Sequence, residues 1–319
     1  MKIVITDAKT VTRGDLDLSP LAAFGELVVY DSTVPEELPS RIGDADALLC
    51  NKSPITRQVL EACPHLRFIG LFATGYNNID TVCARERGIV VSNAGSYSTD
   101  SVAQQVFAYI LHHANRVAAY DGFVQKGGWI ASETFSPFVY DLKEIAGKTI
   151  GIFGFGSIGK KVAAIASAFG MSVLVCTRTE RKEEAERYGA RFVSFETLLS
   201  ESDYLTVHCP LTDATKGIFD ESAFSGMKPG CFFINTSRGG VLKENALKDA
   251  VQSGHLSGAA VDVLTEEPMT EACPLLGIPN LVITPHIAWA PLETRRRLLS
   301  IVCENLRAFI AGRPIHVVS

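Results

Sequence analysis

The stretch Lys148-Thr149-Ile150-Gly151-Ile152-Phe153-Gly154-Phe155-Gly156-Ser157-Ile158-Gly159 decides the reading of this chain. A short apolar run with strand character leads directly into three glycines spaced G-x-G-x-x-G, and residues 157–169 continue as a helix. In a dinucleotide-binding unit the first glycine permits the tight turn, the second lets the backbone approach a pyrophosphate, and the third lets helix pack on strand. The pyrophosphate meets the free N–H groups at the helix start. Gly154, Phe155, Gly156, Ser157, Ile158 and Gly159 are therefore the expected cofactor-binding segment. Such a unit normally opens its own domain, because its first strand lies at the centre of the sheet. Here roughly half the chain precedes it, so the N-terminal residues fold into something else and the cofactor unit is an insertion.

Outward from that segment, 319 residues suffice for about two domains, each with its own core. A net charge of −5 gives no broad basic field, which argues against nucleic acid as a partner. No apolar stretch reaches the length of a membrane helix. Met1-Lys2-Ile3-Val4-Ile5-Thr6-Asp7 reads as a first strand rather than a signal peptide, since Asp7 ends the apolar run early. The 8 cysteines are scattered, with no C-x-x-C pair, so the expectation is reduced thiols in a cytoplasmic protein, with no metal site.

Before the fingerprint, apolar runs over residues 3–6, 27–30, 47–50, 68–72 and 89–92 alternate with helix-like stretches over 35–42, 56–62 and 80–87. One long helix is expected over 99–126. Residues 127–141 form a Gly-, Pro- and aromatic-rich segment carrying Trp129, Phe135, Phe138 and Tyr140. A second strand–helix series runs from 148 to 284, and a last helix over 292–311 has few places to dock except back on the first domain. Such alternation implies parallel sheets covered on both faces. The expected fold class is α/β: two doubly wound parallel-sheet domains, a Rossmann cofactor domain over 99–290 inserted into a flavodoxin-like substrate domain over 1–98 and 291–319.

The end of the strand after the fingerprint bears on cofactor choice. A carboxylate there would accept from the adenosine ribose and repel a 2′-phosphate. The sequence instead reads Val175-Cys176-Thr177-Arg178-Thr179. Thr177 is neutral and Arg178 can pair with a phosphate, so NADP(H) is favoured over NAD(H), with both cofactor-binding positions at 177 and 178. Arg181 and Lys182 read as a solvated helix start.

Three polar residues follow later apolar strands, where open α/β sheets hold ligands: Arg238 after Phe232-Phe233-Ile234-Asn235-Thr236-Ser237, Glu267 after Val261-Asp262-Val263, and His286 after Leu281-Val282-Ile283-Thr284-Pro285. A histidine can protonate a developing alkoxide near neutral pH, a carboxylate can hold its imidazolium, and an arginine can polarise a keto acid. His65, His112, His113, His255 and His316 read as structural. The Arg295-Arg296-Arg297 run reads as a solvated helix face.

These strings, in this order behind a mid-chain fingerprint, resemble the D-isomer-specific 2-hydroxyacid dehydrogenase family over nearly the whole chain. Ala73-Thr74-Gly75-Tyr76-Asn77-Asn78-Ile79-Asp80 and His208-Cys209-Pro210-Leu211-Thr212 belong to the same likeness. Ser101-Val102-Ala103-Gln104 and His286-Ile287-Ala288-Trp289-Ala290 are most similar to its glycerate dehydrogenase/hydroxypyruvate reductase branch. The resemblance implies catalytic Arg238, Glu267 and His286. It implies a substrate site of Ala73, Thr74, Gly75, Arg238, His286 and Trp289. Further cofactor contacts would come from His208, Cys209, Pro210, Thr236, Ser237, Arg238, Asp262 (to the nicotinamide amide), His286 and Ala288. The implied reaction is reversible reduction of hydroxypyruvate and glyoxylate to D-glycerate and glycolate. Another 2-oxo acid, NADH dependence, or a nucleotide-sensing corepressor-like role are the alternatives. A homodimer is expected, with residues 127–141 part of its contact.

Overall fold

A computed structural model of the chain describes residues 1–179 and 182–319. The chain divides into two compact units, Met1–Ser98 with Trp289–Ser319, and Thr99–Ala288. Trp289 thus falls with the terminal helix in the first unit.

In the first unit, strands β1 (Lys2–Ile5), β2 (Glu26–Val29), β3 (Ala47–Cys50), β4 (Phe68–Leu71) and β5 (Val90–Ser92) form one parallel sheet in the order β2-β1-β3-β4-β5. That is the flavodoxin-like order. Alternate residues feed opposite cores, as the period of a strand requires. Val4, Leu48 and Ile69 face helices α1 (Leu38–Ile42), α2 (Arg57–Ala62) and α3 (Thr81–Glu86). Ile3, Ile5, Ala47, Leu49 and Phe68 meet Leu298, Leu299, Val302 and Leu306 of the terminal helix Leu292–Ile310. The Arg295–Arg297 run on that helix is not uniformly solvated. Arg295 is partly buried and grips Asp15 with two parallel bonds of 2.7 and 2.8 Å. Arg297 donates to the Tyr97 carbonyl at 2.7 Å. Sequence read the triplet as a charge run because its partners lie some 200 to 280 residues away.

In the second unit, β6 (Thr149–Phe153), β7 (Ser172–Cys176), β8 (Ala190–Phe192), β9 (Tyr204–Val207), β10 (Phe232–Asn235), β11 (Gly258–Val261) and β12 (Leu281–Ile283) form a seven-stranded parallel sheet. The order β12-β11-β10-β9-β6-β7-β8 reverses at β6/β9, the topological switch point of a Rossmann sheet. Its helices are α4 (Thr99–Asn115), α5 (Val117–Gln125), α6 (Ser157–Ala168), α7 (Lys182–Arg187), α8 (Phe195–Glu201), α9 (Glu221–Ser225) and α10 (Glu244–Gln252). Helices α4 and α6 pack on one face through Val106, Ile110, Val162 and Ala166; α8, α9 and α10 pack on the other through Leu198, Phe224 and Leu247.

The single helix expected over 99–126 is two. Arg116 takes a left-handed φ of 52° between α4 and α5, and the Lys143 amide donates to the Ala114 carbonyl at 3.0 Å, taking an acceptor the helix would otherwise use. Residues 127–141 carry no strand or helix and leave Ile130, Phe135 and Phe138 almost fully exposed. Arg181 lies outside the described residues, and Lys182 begins α7.

Candidate active site

The register of the second sheet aligns its strand ends. Phe153 stands abreast of Cys176 and Val207, Val207 of Asn235, Asn235 of Val261, and Val261 of Ile283. Every segment that leaves a strand at this edge therefore emerges on one rim, and polar groups there escape the desolvation penalty of the core.

At the switch point, Gly154 has φ +101°, and a Cβ there would lie 2.7 Å from the His208 carbonyl carbon. No other residue combines that backbone with that approach. A Cβ at Gly159 would fall 2.3 Å from the Gly154 oxygen, so α6 sits hard against the turn. Gly156 differs: nothing of the protein lies within 4 Å of its Cβ position, so the open side of this turn is left for a ligand to approach. Phe155 points into the core against Tyr188 and Phe192, leaving only its backbone on the rim.

Two buried polar atoms at the rim lack protein partners among the described residues: His208 Nδ1 after β9 and Thr236 Oγ1 after β10. Native structures rarely bury unsatisfied groups, so both mark a place where a ligand or water is taken up. Burial pushes His208 down to about 3, so its ring is neutral, and its Nε2 meets Thr206 Oγ1 at 2.9 Å. The Cys209 thiol is pushed up to about 11, chiefly by burial, and Pro210 is exposed beside it. Thr177 and Arg178 follow β7, Thr177 half-buried and Arg178 exposed. An open glycine turn at a helix start, with orphaned acceptors and donors along the same rim, fits a dinucleotide.

Beyond β10, the fully buried Asn235 builds the next turn. Its Oδ1 accepts from the Ser237 amide (3.0 Å) and hydroxyl (2.9 Å), while its Nδ2 donates to the Arg238 carbonyl (2.9 Å). Sequence reading passed over Asn235, although an amide closing an apolar strand just before Thr-Ser-Arg was visible. The half-buried Arg238 donates to the Ser237 carbonyl at 2.7 Å, and among the described residues no carboxylate pairs with it. Gly239 follows because a Cβ there would clash at 1.9 Å with the Leu264 carbonyl carbon, so the loops after β10 and β11 lie in contact.

The Leu264 amide in turn donates to Glu267 Oε1 at 2.9 Å, and Glu267 Oε2 stands 2.7 Å from His286 Nδ1. That bond places the Nδ1 proton toward the carboxylate. His286 Nε2 has no protein partner among the described residues, and the ring is partly exposed. The Asp262 carboxylate, expected at the cofactor, accepts from the amides of Ile287 and Ala288 and from the Thr284 hydroxyl. Burial holds it above the ordinary carboxylate range against those bonds. The Ala288 amide is likewise engaged there rather than open to a ligand.

In the first unit, Ala73, Thr74 and Gly75 follow β4. The Ala73 carbonyl accepts from Ala94, the Thr74 hydroxyl bonds the Gly95 carbonyl, and Asn93 Nδ2 donates to the Thr74 carbonyl at 2.7 Å. Among the described residues their three amide N–H groups make no backbone bond, an arrangement suited to an anion. The half-buried Trp289 packs edge-on against Tyr97, with centroids 6.3 Å apart.

Residues 107–288 match the family described as D-isomer specific 2-hydroxyacid dehydrogenase, NAD binding domain, so the second unit binds a nicotinamide dinucleotide. The chain is 42% identical over 322 residues to a hydroxypyruvate reductase of Blautia hydrogenotrophica, covering all of both proteins. It is 40% identical over 277 residues to a glyoxylate reductase of Thermococcus litoralis, covering 86% of this chain and 83% of that one. Its fold superposes on that of an acyclic imino acid reductase in complex with NADPH and D-Arg, with a TM-score of 0.87, 30% identity and full coverage of both. No helix among the described residues is long and apolar enough to cross a membrane. The protein therefore belongs to the D-isomer-specific 2-hydroxyacid dehydrogenases.

Proposed function

We propose that this protein reduces hydroxypyruvate and glyoxylate to D-glycerate and glycolate, reversibly, with NADP(H) as its preferred cofactor. The observation that carries the reading is the 2.7 Å bond from His286 to Glu267 on the rim that also holds Arg238 and the glycine turn. A nicotinamide dinucleotide held at the turn of Gly154, Gly156 and Gly159 would supply hydride for C2 of the keto acid. His286 donates the proton to the alkoxide oxygen from Nε2, while Glu267 orients the ring. Arg238 holds the carboxylate and keto oxygens through its guanidinium fork, polarising the carbonyl as it aligns it. In the first unit, the amides of Ala73 to Gly75 are suited to binding a carboxylate. The first unit is thus the substrate domain and the second the cofactor domain.

The preference for NADP(H) rests on Thr177 and Arg178, which offer no carboxylate to repel a 2′-phosphate and one cation to meet it. We also propose a homodimer joined partly through residues 127–141, since Phe135 and Phe138 are about 90% exposed in the single chain. Light scattering at micromolar concentration checks it: the mass of one chain would refute it. A cytoplasmic setting suits the eight free thiols.

The test of the activity is a panel of 2-oxo acids assayed with NADPH and NADH. Highest kcat/KM for hydroxypyruvate or glyoxylate with NADPH supports the reading. Preference for another acid, or nucleotide binding without turnover, overturns it.

A further inference from the structure

His286 occupies the left-handed backbone region, φ +53°, which a side chain other than glycine holds only where its surroundings fix it. Asp262 does the fixing from both sides. Its carbonyl accepts from the His286 amide at 2.8 Å, and its carboxylate accepts from the next two amides, Ile287 at 2.9 Å and Ala288 at 2.8 Å. That carboxylate is 2% exposed, so each hydrogen bond it receives matters to keeping it charged.

Its remaining donor is Thr284, whose hydroxyl gives its only proton to Asp262 Oδ1 at 2.5 Å. Thr284 Oγ1 is then an acceptor toward the hydroxyl of Tyr109 on α4, with which it is bonded. Tyr109 is 3% exposed, so its hydroxyl is shielded from solvent. Counting protons leaves one direction: Tyr109 donates to Thr284, and Thr284 to Asp262.

We infer that Tyr109 and Thr284 are positioning residues for the reaction, forming a line of donors that anchors Asp262 and thereby fixes the His286 ring against Glu267. Neither residue touches substrate; both act through the backbone that carries the histidine. The inference rests on the reading of His286 as proton donor. It differs from a merely structural role in one respect. Loss of the line loosens the proton donor without weakening the substrate-carboxylate contacts, so it lowers kcat and spares KM.

The experiment compares Thr284→Val, Thr284→Ser and Tyr109→Phe in the full chain. It measures kcat and KM for hydroxypyruvate at saturating NADPH, and NADPH Kd by quenching of protein fluorescence. Thr284→Val is expected to lower kcat roughly tenfold, with KM and Kd changed by no more than about twofold. Tyr109→Phe lowers kcat about threefold, and Thr284→Ser, which keeps the hydroxyl, restores it to within about twofold of wild type. Wild-type kcat in both Thr284→Val and Tyr109→Phe overturns the inference. So does a Thr284→Ser enzyme as slow as Thr284→Val, which would make packing the cause. If Thr284→Val does not fold, Tyr109→Phe decides, because it removes a single oxygen. An active His286→Ala enzyme would instead sink the parent reading, whereas an inactive one beside wild-type relay variants sinks only this inference.

Discussion

Glu267 and His286 come from loops after neighbouring strands, yet Oε2 and Nδ1 meet at 2.7 Å. The contact is built in two steps. The Leu264 amide fixes one carboxylate oxygen of Glu267 at 2.9 Å, leaving the other to face the ring. Glu267→Gln keeps the shape and removes the charge. kcat for hydroxypyruvate reduction is expected to fall roughly tenfold with KM little changed, because the Nδ1 proton of the ring loses its anionic acceptor. Wild-type kcat would remove Glu267 from the pair.

Arg238 has its backbone held by Asn235 and its guanidinium unpaired by any carboxylate among the described residues. Arg238→Lys retains the charge and loses the two parallel bonds. Both KM should rise and kcat should fall, together lowering kcat/KM by roughly a hundredfold, since orientation and polarisation are lost at once. Steady-state kinetics near wild type would make the arginine structural.

The proposed cofactor preference rests on Thr177 and Arg178, two adjacent side chains after β7. Arg178→Ala is expected to weaken NADPH by about tenfold to a hundredfold, the value of one charge-assisted bond of about 1.5–3 kcal/mol, and to leave NADH nearly unchanged. Thr177→Asp should repel the 2′-phosphate while offering the NADH ribose an acceptor. The comparison is kcat/KM for each cofactor at saturating hydroxypyruvate. A wild-type enzyme that already prefers NADH tenfold would make Arg178 a bystander.

The bidentate Arg295–Asp15 pair ties the terminal helix to the N-terminal part of the first unit. The guanidinium holds the Asp15 carboxyl well below the usual carboxylate range. A carboxylate lowered in the folded state contributes stability above its unfolded pKa of about 3.9 and loses it as pH falls toward the folded value. Asp15→Asn should therefore lower Tm near neutral pH by a constant margin that shrinks below about pH 4. A margin independent of pH down to the acid transition would show that packing, not charge, is what the substitution removes.

What sequence disclosed, and what it hid, divides along physical lines. Buried parallel strands read as apolar runs, so β1, β3, β4 and β10 were visible, and the glycine turn announced its strand and helix. Polar residues closing β10, β11 and β12 were visible too, because a charge after an apolar run needs a rim to sit on. Hidden were the pairings that depend on distant chain segments. The break at Arg116 is shaped by a bond between Lys143 and Ala114. Arg295 looked solvated because Asp15 is 280 residues away. Tyr109 and Thr284 carry no local motif: they meet each other and Asp262 only across chain segments far apart in sequence. Asp262 itself was assigned to the cofactor by likeness, and only the structure shows which amides occupy its oxygens.

We propose that His286 delivers the proton to the substrate oxygen. The most direct measurement is kcat for hydroxypyruvate reduction by purified His286→Ala, followed as loss of NADPH absorbance, with NADPH affinity and circular dichroism confirming a folded, cofactor-competent chain. A fall of roughly a hundredfold or more is expected, the scale of losing a general acid. A folded His286→Ala enzyme that turns over at the wild-type rate would contradict it.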